Sequence, residues 1–358
     1  FIVDYAHWQD VFGWSIPLMA LSAVLGARFL PYRDADAVKS HLNWVSLGLV
    51  ASCIGTFLTA ISNGQRFGWD SPFVFGLFFL CAVSFVVFVT VELYSRVPLL
   101  DMRLFAVRSF TLTTIVGVIL GAGMFGSLYL LPIYAQTVLD YTAVKAGLLL
   151  MVTGFLQLPV YPIGGRLAQQ SRIGLPISAG MIFFAISSVV LASTDVNSGF
   201  WYIAIWAAFG RIGLGLALPS LQIAAMRDLP PELVAYGAGT LSFLRMTGAA
   251  VGTNVLAVTL EHRTVFHSDH LAATQTLTNP ETAVLLDRVG AVLSDQQGIG
   301  PFEQSLLALD YLGQVVSAQA QAMAFQDGFM LLAIGFGVAG VSALALAGKR
   351  RTTTTRPA

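Results

Sequence analysis

Nine stretches of about 20 mostly apolar residues, each long enough for a helix to cross a bilayer, constrain the fold of this chain more than any other feature. They cover residues 11–30, 43–62, 72–93, 109–135, 144–166, 175–193, 200–225, 234–260 and 327–347. Hydrocarbon offers the backbone no hydrogen-bonding partner, so runs of this length in lipid satisfy their own peptide groups as helices. Spanning strands are excluded: they use roughly 10 residues and alternate apolar with polar, and these runs do neither. Composition agrees. The chain is 56% hydrophobic and 11% charged with a mean hydropathy of +0.75, whereas an ordinary soluble domain is about one-quarter charged. The expected fold class is an all-α integral membrane protein.

The net charge is zero, which gives no reason to expect a nucleic-acid partner. Cys53 and Cys81 both lie inside apolar runs, with no CxxC spacing, and read as small packing residues. Orientation follows from Lys and Arg in the connections. Alternate connections place thirteen on one side: Arg28, Arg33, Lys39, Arg96, Arg103, Arg108, Arg166, Arg172, Arg227, Lys349, Arg350, Arg351 and Arg356. The other side holds four, Arg66, Lys145, Arg263 and Arg288. The first side is expected in the cytoplasm, with the C-terminus. The one long connector, 261–326, falls outside, and Phe302, Leu306, Leu309, Leu312 and Val316 fall at helical spacing within it. It either packs on its own bundle or offers a docking surface. Phe1-Ile2-Val3-Asp4 carries no initiator Met and no basic leader, as if the chain were cut from something longer.

Several motifs fall in a fixed order. His7-Trp8 through Phe12, then Ile16-Pro17, resembles an "HW-x-W-I-F…N-x-P-x-G" pattern, with Asp10, Ser15 and Leu18-Met19 as departures. Pro98-Leu99-Leu100-Asp101-Met102-Arg103-Leu104-Phe105 resembles "P-L-I-D-L-R-L-F". Leu131-Pro132-Ile133-Tyr134-Ala135-Gln136, Tyr141-Thr142-Ala143 and Ala146-Gly147-Leu148 resemble "LPLYLQ…G-Y-S-A…AGL". Arg211-Ile212-Gly213-Leu214-Gly215 resembles "R-G-I-G-L-G", and Leu229-Pro230-Pro231-Glu232 with Gly237-Ala238-Gly239 and Phe243-Leu244-Arg245 resembles "LPPE…GAG…FLR". Together they resemble the major facilitator superfamily in its fourteen-helix drug/proton antiporter branch (EmrB/QacA type) over essentially the whole chain. The resemblance implies a major facilitator fold with nine of fourteen helices here and five more before Phe1. It implies that 1–30 ends an N-terminal bundle, 43–93 holds two inserted linker helices, 109–347 is a six-helix C-terminal bundle and 348–358 a cytoplasmic tail.

An ionisable group inside the bilayer is costly and so marks a candidate site. No acid falls in the middle of a span: Glu92 and Glu261 sit at span ends, Asp4, Asp10, Asp140 and Asp327 at the outer boundary, and Asp101 in a connection. A proton-carrying carboxylate is therefore expected upstream of Phe1, as the resemblance also implies. Arg211 and Arg245 lie deep in their spans, Arg211 about 17 Å from its start at 1.5 Å per residue. Arg211 is a candidate for drawing an anionic substrate or tuning a carboxylate across a cavity, and the alternative is a structural arginine. Arg245 reads as structural or gating. Tyr129, Gln136, Gln157, Trp206, Gln222, Phe243 and Asn254 complete a candidate binding set whose mix of aromatic and polar groups suits flat amphipathic molecules.

Pro159, Pro162, Gly164 and Gly165 interrupt one span and read as a hinge. Gly165-Arg166-Leu167-Ala168 with Arg172 and Gly174 resembles the superfamily's "G-x-L-a-D-R-x-G-R" gate, with Gln169 in place of Asp. Gly117, Gly121, Gly123, Gly248 and Gly252 read as close-packing positions. His262, His267, His270 and Asp269 read as a solvated outer segment rather than a metal centre, and no metal or organic cofactor is expected. HExxH, GxSxG and GxxxxGK[ST] are all absent, so a membrane protease or an ATP-driven pump lacks its key residues.

The expected function is proton-coupled export of amphipathic compounds across a bacterial inner membrane by alternating access, with the proton as coupling ion. The resemblance associates such exporters with a periplasmic membrane-fusion adaptor and an outer-membrane channel. The alternatives are an exporter of one metabolite, such as a siderophore, fatty acid or lipid precursor, and a scaffold or sensor derived from a transporter.

Overall fold

The computed structural model describes residues 10–29, 43–95, 98–169, 173–276, 279–294 and 300–345. The motif at His7-Trp8, Arg33, Lys39, Arg96, Arg172 and the tail from Lys349 lie outside the described residues. The helices are α1 (Asp10–Phe29), α2 (Trp44–Phe67), α3 (Pro72–Tyr94), α4 (Arg108–Thr137), α5 (Ala143–Gln157) and α6 (Val160–Ala168). After them come α7 (Gly174–Leu191), α8 (Phe200–Arg227), α9 (Pro231–Thr274), α10 (Pro280–Ser294) and α11 (Pro301–Leu344). Among the described residues there is no strand, and eight segments are long and apolar enough to cross a membrane, α5 and α6 counting as one. α1 contributes a shorter apolar stretch, Ser15–Phe29.

Local chemistry sets the ends. Asn43, Ser71 and Thr142 cap α2, α3 and α5 by accepting from the backbone N–H of Ser46, Val74 and Lys145. Gly68, at φ +83°, turns the chain from α2 into α3. The break between α5 and α6 falls at Pro159, which has no N–H to donate and begins α6. Pro162, with no N–H to give Leu158, leaves that carbonyl to the N–H of Tyr161 at 3.3 Å.

Two helices run further than their apolar stretches. α9 and α11 have 44 residues each, or about 66 Å at 1.5 Å per residue, roughly twice the ~30 Å of a hydrocarbon core. Residues 261–274, which the sequence placed in a connector, continue α9, so His262, His267, Asp269 and His270 are helical rather than in a loop. Because 274 connects to 301, both overhangs project from the same end, with α10 packed against α11.

Six spans pack around one another: α4 on α9 and α11, α7 on α8 and α11, α5 and α6 on α8, and α9 on α11. Lipid is as apolar as leucine, so burial of apolar surface drives little of this and close van der Waals fit does the holding. Glycine supplies the fit. A Cβ on Gly121 would strike the Arg245 carbonyl, one on Gly248 the Val118 carbonyl, and one on Gly252 the backbone of Ala122, so α4 and α9 touch main chain to main chain. Gly180 and Gly213 do the same for α7 and α8, each facing the other's carbonyl. Two apolar clusters fill the interior, one around Phe110, Met181, Leu214 and Phe336, the other around Tyr134, Leu149, Phe325 and Phe329. Tyr134 is fully buried, meets Phe325 and Phe329 edge-on, and donates its hydroxyl to the Asp195 carbonyl at 3.1 Å.

α2 and α3 pair along a seam where Ser52 meets Ser84 at 3.3 Å and Cys53 meets Cys81 at 3.7 Å. α3 presents bulky apolar residues such as Phe75, Phe79 and Phe85 outward, and α2 packs on α9. The connection to α4 is tied down by acids. Glu92 accepts the Leu100 N–H at 3.2 Å. Asp101 accepts from the Arg103 backbone at 3.0 Å and from its guanidinium through Nε and Nη2, which is the physical content of the Asp101-Met102-Arg103 motif.

Two outcomes are expected. Gly121→Leu or Gly248→Leu should lower unfolding free energy in detergent by at least about 1–3 kcal/mol, while Gly55→Ala, where an added Cβ meets nothing, should be neutral or slightly stabilising; equal effects would contradict backbone-to-backbone packing. Removing the cap with Asp101→Ala should cost roughly 0.5–2 kcal/mol at pH 7. The hydrogen bond from Arg103 holds the Asp101 carboxyl below the usual carboxylate range. Its stabilisation is therefore complete above the ordinary value near pH 4 and fades as pH falls through the lowered one. Thermal unfolding between pH 7 and pH 3 should show that loss in the parent and not in Asp101→Ala, and parallel profiles would contradict it.

Candidate functional site

A cavity of about 540 Å³ opens where α2, α4, α9 and α11 meet. Its wall is mostly apolar, with polar groups from each helix: Ser62, Tyr129 and Thr137, Asn254 with Glu261 and Thr264, and Gln321. The volume is that of a site for a drug-sized molecule. Asn254, Glu261 and Thr264 face it together because steps of seven and three residues keep one face of a helix. Asn254 and Ser62 exchange hydrogen bonds: Ser62 Oγ donates to Asn254 Oδ1 at 3.0 Å and accepts from Asn254 Nδ2 at 2.9 Å. This pair fastens α2, which lies outside the six packed spans, to the cavity wall.

Beside the cavity, on the overhangs, Asp327 of α11 receives His267 Nε2 at 2.8 Å and Arg263 Nε at 3.4 Å, both from α9. An exposed cluster of this kind contributes modestly, about 0.2–1 kcal/mol per pair. Among the described residues no three His, Cys, Asp or Glu converge as a metal site.

Of the residues singled out in the sequence, Tyr129 and Asn254 line the cavity. Phe243 packs instead on the cluster of Val50, Phe88 and Leu100, against α2 and α3. Gln157 ends α5, buried, with its amide donating to the Tyr161 hydroxyl at 3.0 Å across the break before α6. Gln136 is exposed and donates to the Pro132 carbonyl. Trp206 meets Phe209 edge-on while its carbonyl accepts from Ser187, and Gln222 is half-buried on α8. Arg245 is half-buried, its carbonyl facing Gly121. Pro159 stands at the break and Pro162 in the first turn of α6, Gly165 stands in open space, and Arg166 is exposed in the last turn of α6.

Arg211 stands apart from the cavity. It is enclosed in the bundle beside a void of about 20 Å³ walled by α4, α7, α8 and α11. Ser62, Thr137, Glu261, Thr264 and Gln321 were missed from the sequence. The seven-then-three spacing from Asn254 could have found Glu261 and Thr264, whereas Ser62 is 192 positions from its partner, with no local signal.

A model of the Major Facilitator Superfamily matches residues 1–253. An "Uncharacterized MFS-type transporter YhcA" of Bacillus subtilis is 23% identical over 95% of this chain and 64% of its own length. The "Fatty acid resistance protein FarB" of Neisseria gonorrhoeae is 28% identical over 82% of this chain and 58% of its own. The "Multidrug export protein EmrB" of Escherichia coli is 24% identical over 86% of this chain and 60% of its own. The chain thus spans less than two thirds of the length of these relatives.

The Ser62–Asn254 pair is open to a direct check. In a double-mutant cycle with Ser62→Ala and Asn254→Ala, thermal unfolding should give a coupling of about 0.6 kcal/mol, usual for a hydrogen bond between membrane helices; strict additivity would contradict the pairing.

Proposed function

Because the chain belongs to the Major Facilitator Superfamily, on the branch of the EmrB-type exporters, we propose that it serves in proton-coupled export of amphipathic small molecules. The superfamily is one of transporters, not enzymes, and the chain is a multi-pass protein of the bacterial inner membrane. The observation that carries the reading is the 540 Å³ cavity, largely apolar, with an aromatic ring at Tyr129, an amide at Asn254 and a carboxylate at Glu261.

Each part has a use. The apolar wall takes up the body of an amphiphile. An ionised Glu261 attracts a cationic head, and a proton arriving at the same carboxylate removes that attraction. Competition of proton and cation for one acid is enough to couple their opposite movements, alongside any acid upstream of Phe1. Alternating access follows if the bundle of α4 to α9 and α11 rocks as a body against a partner bundle. The Lys and Arg bias supports a cytoplasmic C-terminus. The α9–α11 overhang with α10 would then project outward, where a membrane-fusion adaptor leading to an outer-membrane channel could dock.

The likeness to a protein named for fatty acid resistance favours a second reading, export of a fatty acid, for which the apolar wall is suited and Glu261 is not. Uptake into everted vesicles separates the two. A cationic dye should accumulate on imposing a proton gradient and not with an uncoupler, and Glu261→Gln should reduce it about tenfold, the equivalent of roughly 1.4 kcal/mol. Full dye transport by Glu261→Gln would contradict the role of this acid, and fatty-acid transport without dye transport would decide for the second reading.

A further inference from the structure

Among the described residues the guanidinium of Arg211 lies inside the bundle with no Asp or Glu paired to it, and Tyr161 is the ionisable side chain that interacts with it, an observation independent of what is transported. Arg211 is 5% exposed, and its Nη2 is a buried donor without an acceptor. The void it lines, about 20 Å³, is enclosed by Leu131, Phe184, Leu191, Phe329 and other apolar side chains, together with Ser127, Ser187 and Ser188. α4, α7 and α8 contain no Asp or Glu. Of the acids of α11, Glu303, Asp310 and Asp327, none lines the void, and Asp327 is engaged by Arg263 and His267. Arginine stays protonated at any physiological pH, and an uncompensated charge in an apolar interior is strongly unfavourable. Some species other than these side chains must meet the charge, and it must be small.

We propose that Arg211 holds a resident monovalent anion of halide size in this void. The space takes one water-sized particle, which excludes phosphate, sulfate and carboxylates. A water accepts from the N–H groups but leaves the charge in place, whereas a halide accepts them and cancels it. The hydroxyl protons of Ser127 and Ser187 are already given to the carbonyls of Met124 and Trp206, at 2.8 and 2.7 Å. Ser188 also lines the void and offers its hydroxyl as the second donor to the anion. The ion ties α4, α7, α8 and α11 together at the junction of the two apolar clusters.

The test is thermal unfolding of the intact protein, purified in detergent, in sodium chloride, sodium bromide and sodium gluconate at equal ionic strength. Both halides should raise the midpoint by roughly 2 °C or more over gluconate, saturably, and Arg211→Gln should abolish the difference. Should that variant not fold, anomalous diffraction from bromide-grown crystals of the parent decides, with a bromide peak expected beside Nη2. Equal midpoints in the three salts, a void holding only water, or a bromide peak elsewhere would each overturn the proposal.

Discussion

Hydrocarbon leaves a peptide group only other peptide groups to bond with, and every feature of this protein follows from that constraint. It makes each span a helix and removes the usual hydrophobic gain from packing helices together. What remains is fit and a small number of polar contacts. Gly121, Gly248 and Gly252 bring α4 and α9 into main-chain contact, and Gly180 and Gly213 do so for α7 and α8. Close approach in the middle of the bundle leaves the larger space at its margin, where α2 leans on α9 through Ser62 and Asn254 and the cavity opens.

The same constraint sorts the charged residues. Most Lys and Arg lie in the connections or at helix ends, where water reaches them. Glu261 is kept at the cavity, Asp327 is held by Arg263 and His267, and Asp101 closes the connection into α4 with Arg103. Arg211 is the exception in this set, a charge sealed among apolar side chains and serines. Such a residue persists only if its charge is met.

Apolar runs at the length of a bilayer made the spans legible, and Pro159 marked the break between α5 and α6 where it is found. The overhangs were less so. Hydropathy ends where the lipid ends, but a helix does not, and α9 runs on to Thr274 because nothing between Leu260 and Thr274 breaks it. Tyr129 and Asn254 were recognisable as polar groups in apolar runs. Gln157, Gln136 and Trp206 looked the same in sequence, yet their helices turn them to other surroundings. Which face meets a cavity is decided by rotation of one helix against another, and single-chain periodicity does not contain it. Ser62 shows this most plainly, since its partner is set by the docking of α2 on α9.

Helices α4 to α9 cross lipid five times between the connection at 98–107 and the residues that follow Thr274. An odd number of crossings puts those two segments on opposite sides of the membrane. With Cys53 and Cys81 replaced by serine, single cysteines placed at Arg103 and at Gln275 can be labelled in intact cells with a membrane-impermeant maleimide. One position should react before lysis and the other only after it; reaction of both from the same side would contradict the spanning bundle on which the cavity, the buried arginine and the transport reading are built.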